Sequence, residues 1–209
     1  MSFCDFVLSR VRRPSRILEI GAGSGELTRQ LGAVHDVLGI DPRAPDEPGL
    51  SRIAFEAFDA PQRSFDCAVM QRVLHHLPDL DAALDRIAEL LRSDGKIFID
   101  DFAIEKMDET TARWFWERWK TLGVTRKGPP PASFEQFLDE WRTSKRECHT
   151  GRAMHDALTA RFDEGVFEWG PYVSFELGDP ATEPLERAAI ARGEIAALGL
   201  RYAGALAIL

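Results

Sequence analysis

The stretch Arg16-Ile17-Leu18-Glu19-Ile20-Gly21-Ala22-Gly23-Ser24-Gly25-Glu26 decides how the chain is read. Residues 16–20 are a short apolar run that suits a strand covered on both faces, and the glycines lead into a helix over residues 26–31. Glycine has no Cβ and tolerates positive φ, so such a turn lets a ligand approach the backbone, and the helix start adds unpaired N–H donors. A nucleotide-like ligand is expected there. The dinucleotide fingerprint requires glycine at its first, third and sixth positions, and counting from Gly21 the sixth is Glu26. A carboxylate would face a pyrophosphate unfavourably at the helix start, so the ligand should lack phosphate. Asp41 follows Gly21 by twenty residues, at the end of a second apolar run over residues 37–40. An acid there can accept hydrogen bonds from both hydroxyls of a ribose, although Asp-Pro after a strand is also an ordinary turn.

Working outward, residues 53–58, 66–70 and 96–102 read as further strands. Residues 80–92 read as a helix whose Leu80, Ala83, Leu84, Ile87, Leu90 and Leu91 form one apolar stripe, with a start signal at Pro78-Asp79 and a stop at Gly95. Strand and helix alternate, which predicts an α/β fold: a doubly wound, mostly parallel sheet with helices on both faces. Residues 42–52 hold three prolines and a glycine, so any helix there is short or absent. Beyond Phe102 the pattern predicts helices over 108–122, 133–141 and 152–162, a strand over 166–177, a helix over 184–198 and a last strand over 201–209.

The 209 residues exceed a working domain size of about 150. Thirteen of the twenty aromatics, including all five tryptophans, lie between Phe102 and Phe175, so the surplus length and the aromatic excess coincide. With 44% hydrophobic and 29% charged residues the chain is neither disordered nor disulfide-stapled. A formal charge of −8 argues against a broad grip on nucleic acid. The longest apolar run, residues 203–209, is too short to span a bilayer, and Arg10, Arg12 and Arg13 follow the apolar residues of the N-terminus, the wrong order for a secretory leader. A cytoplasmic protein is expected. Cys4, Cys67 and Cys148 are far apart, and His149 and His155 match no ligand spacing, so no metal site is expected.

The sequence resembles the class I S-adenosylmethionine-dependent methyltransferases of small-molecule type. The resemblance rests on residues 17–25, on Gly39-Ile40-Asp41, Phe58-Asp59-Ala60, Ser64-Phe65-Asp66-Cys67-Ala68-Val69 and Val73-Leu74-His75-His76-Leu77-Pro78-Asp79, and on residues 90–96. It is dense over 15–102 and beyond that follows only the order of elements. It implies a Rossmann-like seven-stranded sheet whose last two strands form an antiparallel hairpin. It also implies that Gly21, Gly23 and Gly25 pass under the cofactor, that Glu19 orders its methionine end and Asp41 its ribose, that Asp59 with Ala60 meets the adenine, and that Gln71 contacts the methionine moiety. Ser93-Asp94-Gly95-Lys96 departs from the family's Lys-Pro-Gly-Gly, at a turn remote from the chemistry.

Methyl transfer from a sulfonium is a displacement, for which positioning and water exclusion do much of the work. A hydroxyl or protonated nitrogen also needs a base. His76, and behind it His75, follow the fourth strand where the ligand crevice opens, as a base or as pocket residues. Asp100 and Asp101 end the fifth strand at the same rim as candidate substrate contacts. A single domain over 1–209 is expected, with a cofactor half at 15–102, a helical lid at about 103–165 and closing elements at 166–209. Trp114, Trp116, Trp119 and Trp141 are candidate walls for an apolar, planar or cationic small-molecule acceptor, although aromatics at helical spacing usually pack a core. Two rivals stand beside this reading. One is a non-catalytic protein of the same fold that uses the aromatic helices as a partner surface, as in a homodimer. The other is a nicotinamide-dependent oxidoreductase, which Glu26 disfavours.

Overall fold

The computed structural model describes residues 1–207. Arg16–Ile20 forms β1, buried from Ile17 onward, and Asp36–Ile40 forms β2 beside it in parallel. Between them Glu26–Gly32 folds as a helix; a preceding helix, Phe3–Leu8, is capped by the Ser2 hydroxyl, so these are α2 and α1. Leu50–Ser51 is β3, Phe65–Gln71 is β4, and Leu80–Leu90 is α3, whose first turn is capped by the Asp79 carboxylate accepting from Ala82 N at 2.9 Å. β5 is Leu91–Phe102, β6 is Phe162–Gly170 and β7 is Gly199–Leu206. The seven strands stand in the order β3-β2-β1-β4-β5-β7-β6, six parallel and the last antiparallel, the Rossmann-like sheet that the resemblance implies. The order reverses between β1 and β4, and a ligand crevice belongs outside the carboxyl ends of those two strands.

Several boundaries differ from the sequence expectation. The third strand is β3 at Leu50–Ser51, not 53–58: the backbone reaches β2 through Gly39 N to Gly49 O and Asp41 N to Ser51 O, at 2.8 and 3.2 Å, and then leaves the sheet. Phe55 is buried from a 3₁₀ turn, Phe55–Ala57, which mimics strand alternation in the sequence. At the start of β5, Phe65 faces Leu91 and Cys67 faces Lys96, so the Ser93-Asp94-Gly95 segment bulges out of register. Gly95 is required there, because a Cβ would sit 2.8 Å from Arg92 O. The expected strand over 166–177 is cut at Pro171 and continues as α7, Val173–Leu177, described below with its cap. Residues 208–209 of the expected last strand lie outside the described residues.

The remaining helices are α4 (Glu109–Leu122, N-cap Asp108), α5 (Phe134–Ser144, N-cap Ser133), α6 (Gly151–Thr159), and, after α7, α8 (Thr182–Ala191). α8 is shorter than the expected 184–198 because the chain turns at Gly193, φ +70°.

The chain divides into two compact units. A sheet unit comprises Met1–Asp101, Ala153–Phe167 and the chain from Arg201, with a core that includes Phe6, Ile17, Leu31, Val69 and Phe98. An aromatic unit comprises Phe102–Arg152 and Glu168–Leu200. Its core stacks Phe115 against Phe137 (5.2 Å between ring centres, 66°) and Trp141 (6.1 Å, 73°), and Phe102 against Tyr172 (4.5 Å). Edge-to-face pairs of this kind add about 0.5–1.5 kcal/mol beyond the area they bury.

Candidate functional site

Gly21 follows β1 with φ +77°, and its N–H, like that of Ala22, is spent on Ile40 O of β2 (2.8 and 3.0 Å). A Cβ at Gly21 would lie 2.1 Å from the Val73 side chain. Gly23, φ +54°, has open space where a Cβ would go. Its N–H donates to Asp41 Oδ2 at 3.1 Å, while Asp41 Oδ1 accepts from Arg43 N at 2.7 Å. Asp41 is buried, yet these bonds use only two of the roughly four lone-pair sites of a carboxylate. Gly21, Gly23 and Asp41 form one wall of a cavity of about 340 Å³ in the sheet unit. Gly25 is not in that wall; with φ +79° it is the N-cap of α2.

The facing wall comes from the exit of β4. Gln71 lines the cavity and its Nε2 donates to Asp100 Oδ2 at 3.0 Å. Arg72 also lines it and adopts φ +61°, a conformation that costs a non-glycine residue about 1–2 kcal/mol. It is held there by its N–H on Asp100 O (2.8 Å) and its guanidinium on Asp101 O (2.6 Å). Leu74–His76 then makes a 3₁₀ turn that separates the two histidines. His76 is exposed and lines the cavity. His75 is buried beside it, ring centres 3.9 Å apart, with Nδ1 2.7 Å from Asp101 Oδ1 and its backbone N–H donating to Asp101 Oδ2 at 3.3 Å. Asp101 has 0% exposure, so it lies behind His75 and is not positioned as a substrate contact. Asp100 is likewise buried, with the Arg201 guanidinium 3.5 Å from Oδ1.

Three expected cofactor contacts, Asp59, Ala60 and Glu19, lie outside the lining of this cavity. The Asp59 side chain is 97% exposed and pairs with Arg86 at 3.2 Å, and Ala60 O accepts from the same guanidinium. The cavity is instead closed at that end by Ile53, Ala54, Phe55 and Glu56. The displacement follows from the strand: β3 ends at Ser51, so the residues that come next to the sheet edge are 53–56 rather than 59–60. Glu19 is buried in β1, where its carboxyl accepts from Thr28 Oγ1 of α2 at 2.5 Å; it lines no part of the cavity. Burial pushes Glu19 up to about 7; the Thr28 hydrogen bond opposes this and the nearby Asp41 charge adds to it.

A family model described as "Methyltransferase domain" matches residues 2–140. The chain belongs to this methyltransferase-domain family. Among curated methyltransferases, str2 of Strobilurus tenacellus is 37% identical over 111 residues, 46% of this chain and 40% of that protein. The 27-O-demethylrifamycin SV methyltransferase of Amycolatopsis mediterranei (strain S699) is 32% identical over 111 residues, 45% of this chain and 41% of that protein. In these alignments the chain spans less than half the length of either relative. Among solved structures, a Burkholderia thailandensis 1,6-didemethyltoxoflavin-N1-methyltransferase with bound 1,6-didemethyltoxoflavin and S-adenosylhomocysteine superposes with a TM-score of 0.59 at 17% identity, covering 99% of this chain and 77% of that one. At that identity the likeness is one of fold.

In this methyltransferase-domain chain the tryptophans chiefly build the aromatic unit. Trp119 is buried and its indole N–H donates to Gly128 O at 3.1 Å; that of Trp116 donates to Pro131 O at 3.1 Å. Trp114 packs half-buried against the core. Trp141 lines a cavity that lies wholly within the aromatic unit. Ile53, Ala54, Phe55, Glu56 and Arg72 are among the cavity residues that the sequence motifs missed. Arg72 carried no signal, since nothing in Met70-Gln71-Arg72-Val73 announces a left-handed residue.

Proposed function

We propose that the chain binds S-adenosylmethionine in the sheet-unit cavity and transfers its methyl group to a hydroxyl or nitrogen of a small molecule. The observation that carries this reading is a single one: Gly23, with open space above it, and the buried Asp41 carboxylate with spare acceptor sites share one cavity at the β1/β4 switch point. A cavity of about 340 Å³ is within the usual range for a small organic ligand. The donor set suits a nucleoside without phosphate, because Gly21 N is spent on the sheet and Glu26 opens α2. Bound there, S-adenosylmethionine supplies an electrophilic methyl group on a sulfonium sulfur.

Asp41 accepts from the ribose hydroxyls, the glycine turn provides a surface without side chains, and Ile53 and Phe55 flank the base, with Glu56 the acid nearest that end. Gln71 carries an amide whose NH₂ is engaged by Asp100, which directs its carbonyl as the remaining acceptor. His76 is the residue placed to take a proton from an oxygen or nitrogen acceptor, and the His75–Asp101 pair fixes the turn that presents it. Acceptor specificity is assigned to the aromatic segment near residues 103–165. The relatives named for 27-O- and N1-methylation of small molecules support the acceptor class. The two rival readings lose ground: the aromatic helices spend their rings in a core, and the family match is to methyltransferases.

The test is transfer of a labelled methyl group from S-adenosylmethionine to a panel of hydroxylated and nitrogen-heterocyclic small molecules. Labelled product is expected, with kcat reduced at least tenfold in His76→Ala for an acceptor that must lose a proton. Tight cofactor binding with no product from any small-molecule or macromolecular acceptor would favour the non-catalytic rival.

A further inference from the structure

The aromatic unit holds a cavity of about 510 Å³ whose lining shares no residue with the sheet-unit cavity. One wall is a single face of α5 and its C-cap: Leu138, Trp141, Arg142 and Lys145 recur at three- and four-residue spacing, and Arg146 follows. Ile104 and Met107 supply apolar surface opposite. From these residues we infer a binding site for a planar organic anion, an aromatic carboxylate, with the ring against Trp141 and Leu138 and the carboxylate at the Arg142, Lys145 and Arg146 rim.

The cations at the rim favour an anion. The cavity also has three acids, all engaged: Glu109 in an ion pair, Glu105 and Asp108 by backbone N–H groups, which occupy lone pairs without cancelling their charge. Glu105 accepts from the N–H groups of Gly151 and Arg152 at the start of α6 (2.9 and 3.0 Å). Asp108 caps α4 through Thr111 N (2.7 Å), and Glu109 pairs with Arg113 (3.1 Å). Among the described residues no carboxylate lies within ion-pair distance of Arg142, Lys145 or Arg146. Lys145 stands 4.8 Å from the ring centre of Phe102 and 5.6 Å from that of Trp141, and it faces Glu176, which Lys127 already pairs. The carboxyl end of α5 adds roughly half a negative charge to those of Glu105 and Asp108, against three full positive ones, so the anion preference rests on Arg142 and Arg146 at the rim. Arg142 and Arg146 have no carboxylate within ion-pair distance among the described residues, and a ligand carboxylate gains charge-assisted, bidentate hydrogen bonds from arginine that a neutral or cationic ligand cannot. The site stands on this geometry by itself; that its ligand class is also the class of the methyl acceptor rests on the methyl-transfer reading.

The experiment titrates the full chain with 1-naphthoate and with its neutral isostere 1-naphthamide, by calorimetry, in the wild type and in Arg142→Ala/Arg146→Ala. Both arginines are exposed, and circular dichroism checks that the variant folds. The wild type should bind naphthoate about tenfold or more tightly than naphthamide, a preference that weakens with added salt and shrinks to about twofold in the variant. Equal affinity for the two probes, no naphthoate binding, or a preference that survives in the variant would overturn the site. S-adenosylhomocysteine affinity, measured on the same samples, should not change between wild type and variant. Its absence altogether, with the naphthoate result intact, would remove the methyl-transfer reading and leave this site standing.

Discussion

In the sheet unit, Asp41, Gln71 and His76 stand at or just beyond strand ends and line one cavity. In the aromatic unit, Trp116 and Trp119 are consumed by packing and by indole hydrogen bonds to Pro131 O and Gly128 O, and α7 is held by a carboxylate from the next helix. There Glu186, buried in α8, accepts from the N–H groups of Tyr172, Val173 and Ser174 at 2.6, 2.8 and 2.9 Å. In the first unit Asp41, Gln71 and His76 line the cavity, whereas in the second Trp116, Trp119 and Glu186 are engaged by the fold itself. The contrast teaches where substitutions should cost binding and where they should cost stability.

The sharpest break is expected in the aromatic unit. Glu186→Ala orphans three buried N–H groups and should lower unfolding free energy by about 3–5 kcal/mol, read as a fall in chemical-denaturation midpoint, while Glu186→Gln recovers part of it. A loss below about 1 kcal/mol would mean that α7 does not need this cap. Next comes the pH dependence carried by Glu19. Its folded pKa of about 7 lies above the ordinary 4.5, so the folded state holds the proton more tightly. That stabilisation is complete below pH 4.5 and is lost as pH rises through about 7, worth at most about 3 kcal/mol. Glu19→Gln should flatten the ligand-free stability profile across that window; an unchanged slope would assign the pH dependence elsewhere.

The glycine turn divides the two kinds of cost within four residues. Gly21→Ala forces a Cβ into Val73 and should destabilise the chain by about 2–4 kcal/mol. Gly23→Ala, with open space for its Cβ, should cost only about 1 kcal/mol of stability while reducing S-adenosylhomocysteine affinity. Equal losses of stability would erase the distinction. The smallest effect is at the adenine end: Glu56→Ala should weaken S-adenosylhomocysteine binding a few-fold and Asp59→Ala not at all, and the reverse pattern would restore the motif assignment.

Legibility in the sequence followed locality. β1 matches residue for residue, and Asp79, Asp108 and Ser133 cap the helices they precede, because strand runs and N-caps are written within a few residues. Asp41 was readable from its distance to Gly21. The resemblance assigned the adenine to Asp59 and Ala60, but Ile53, Ala54, Phe55 and Glu56 line the cavity instead, because β3 ends at Ser51 and not at residue 58. α7 was hidden because its cap is twelve or more residues away in Glu186, and Val166 to Leu177 without that partner looks extended. The aromatic excess announced a structured unit, but whether a tryptophan packs or lines a cavity depends on contacts between helices that no spacing records.

Calorimetric titration of S-adenosylhomocysteine into the wild type and into Asp41→Ala tests the central claim most directly. The wild type should bind, and the variant, which loses the carboxylate that both ties Gly23 and faces the cavity, should bind about 100-fold more weakly while remaining folded. No binding by the wild type, or equal affinity in the two proteins, would contradict the assignment of this cavity to the methyl donor.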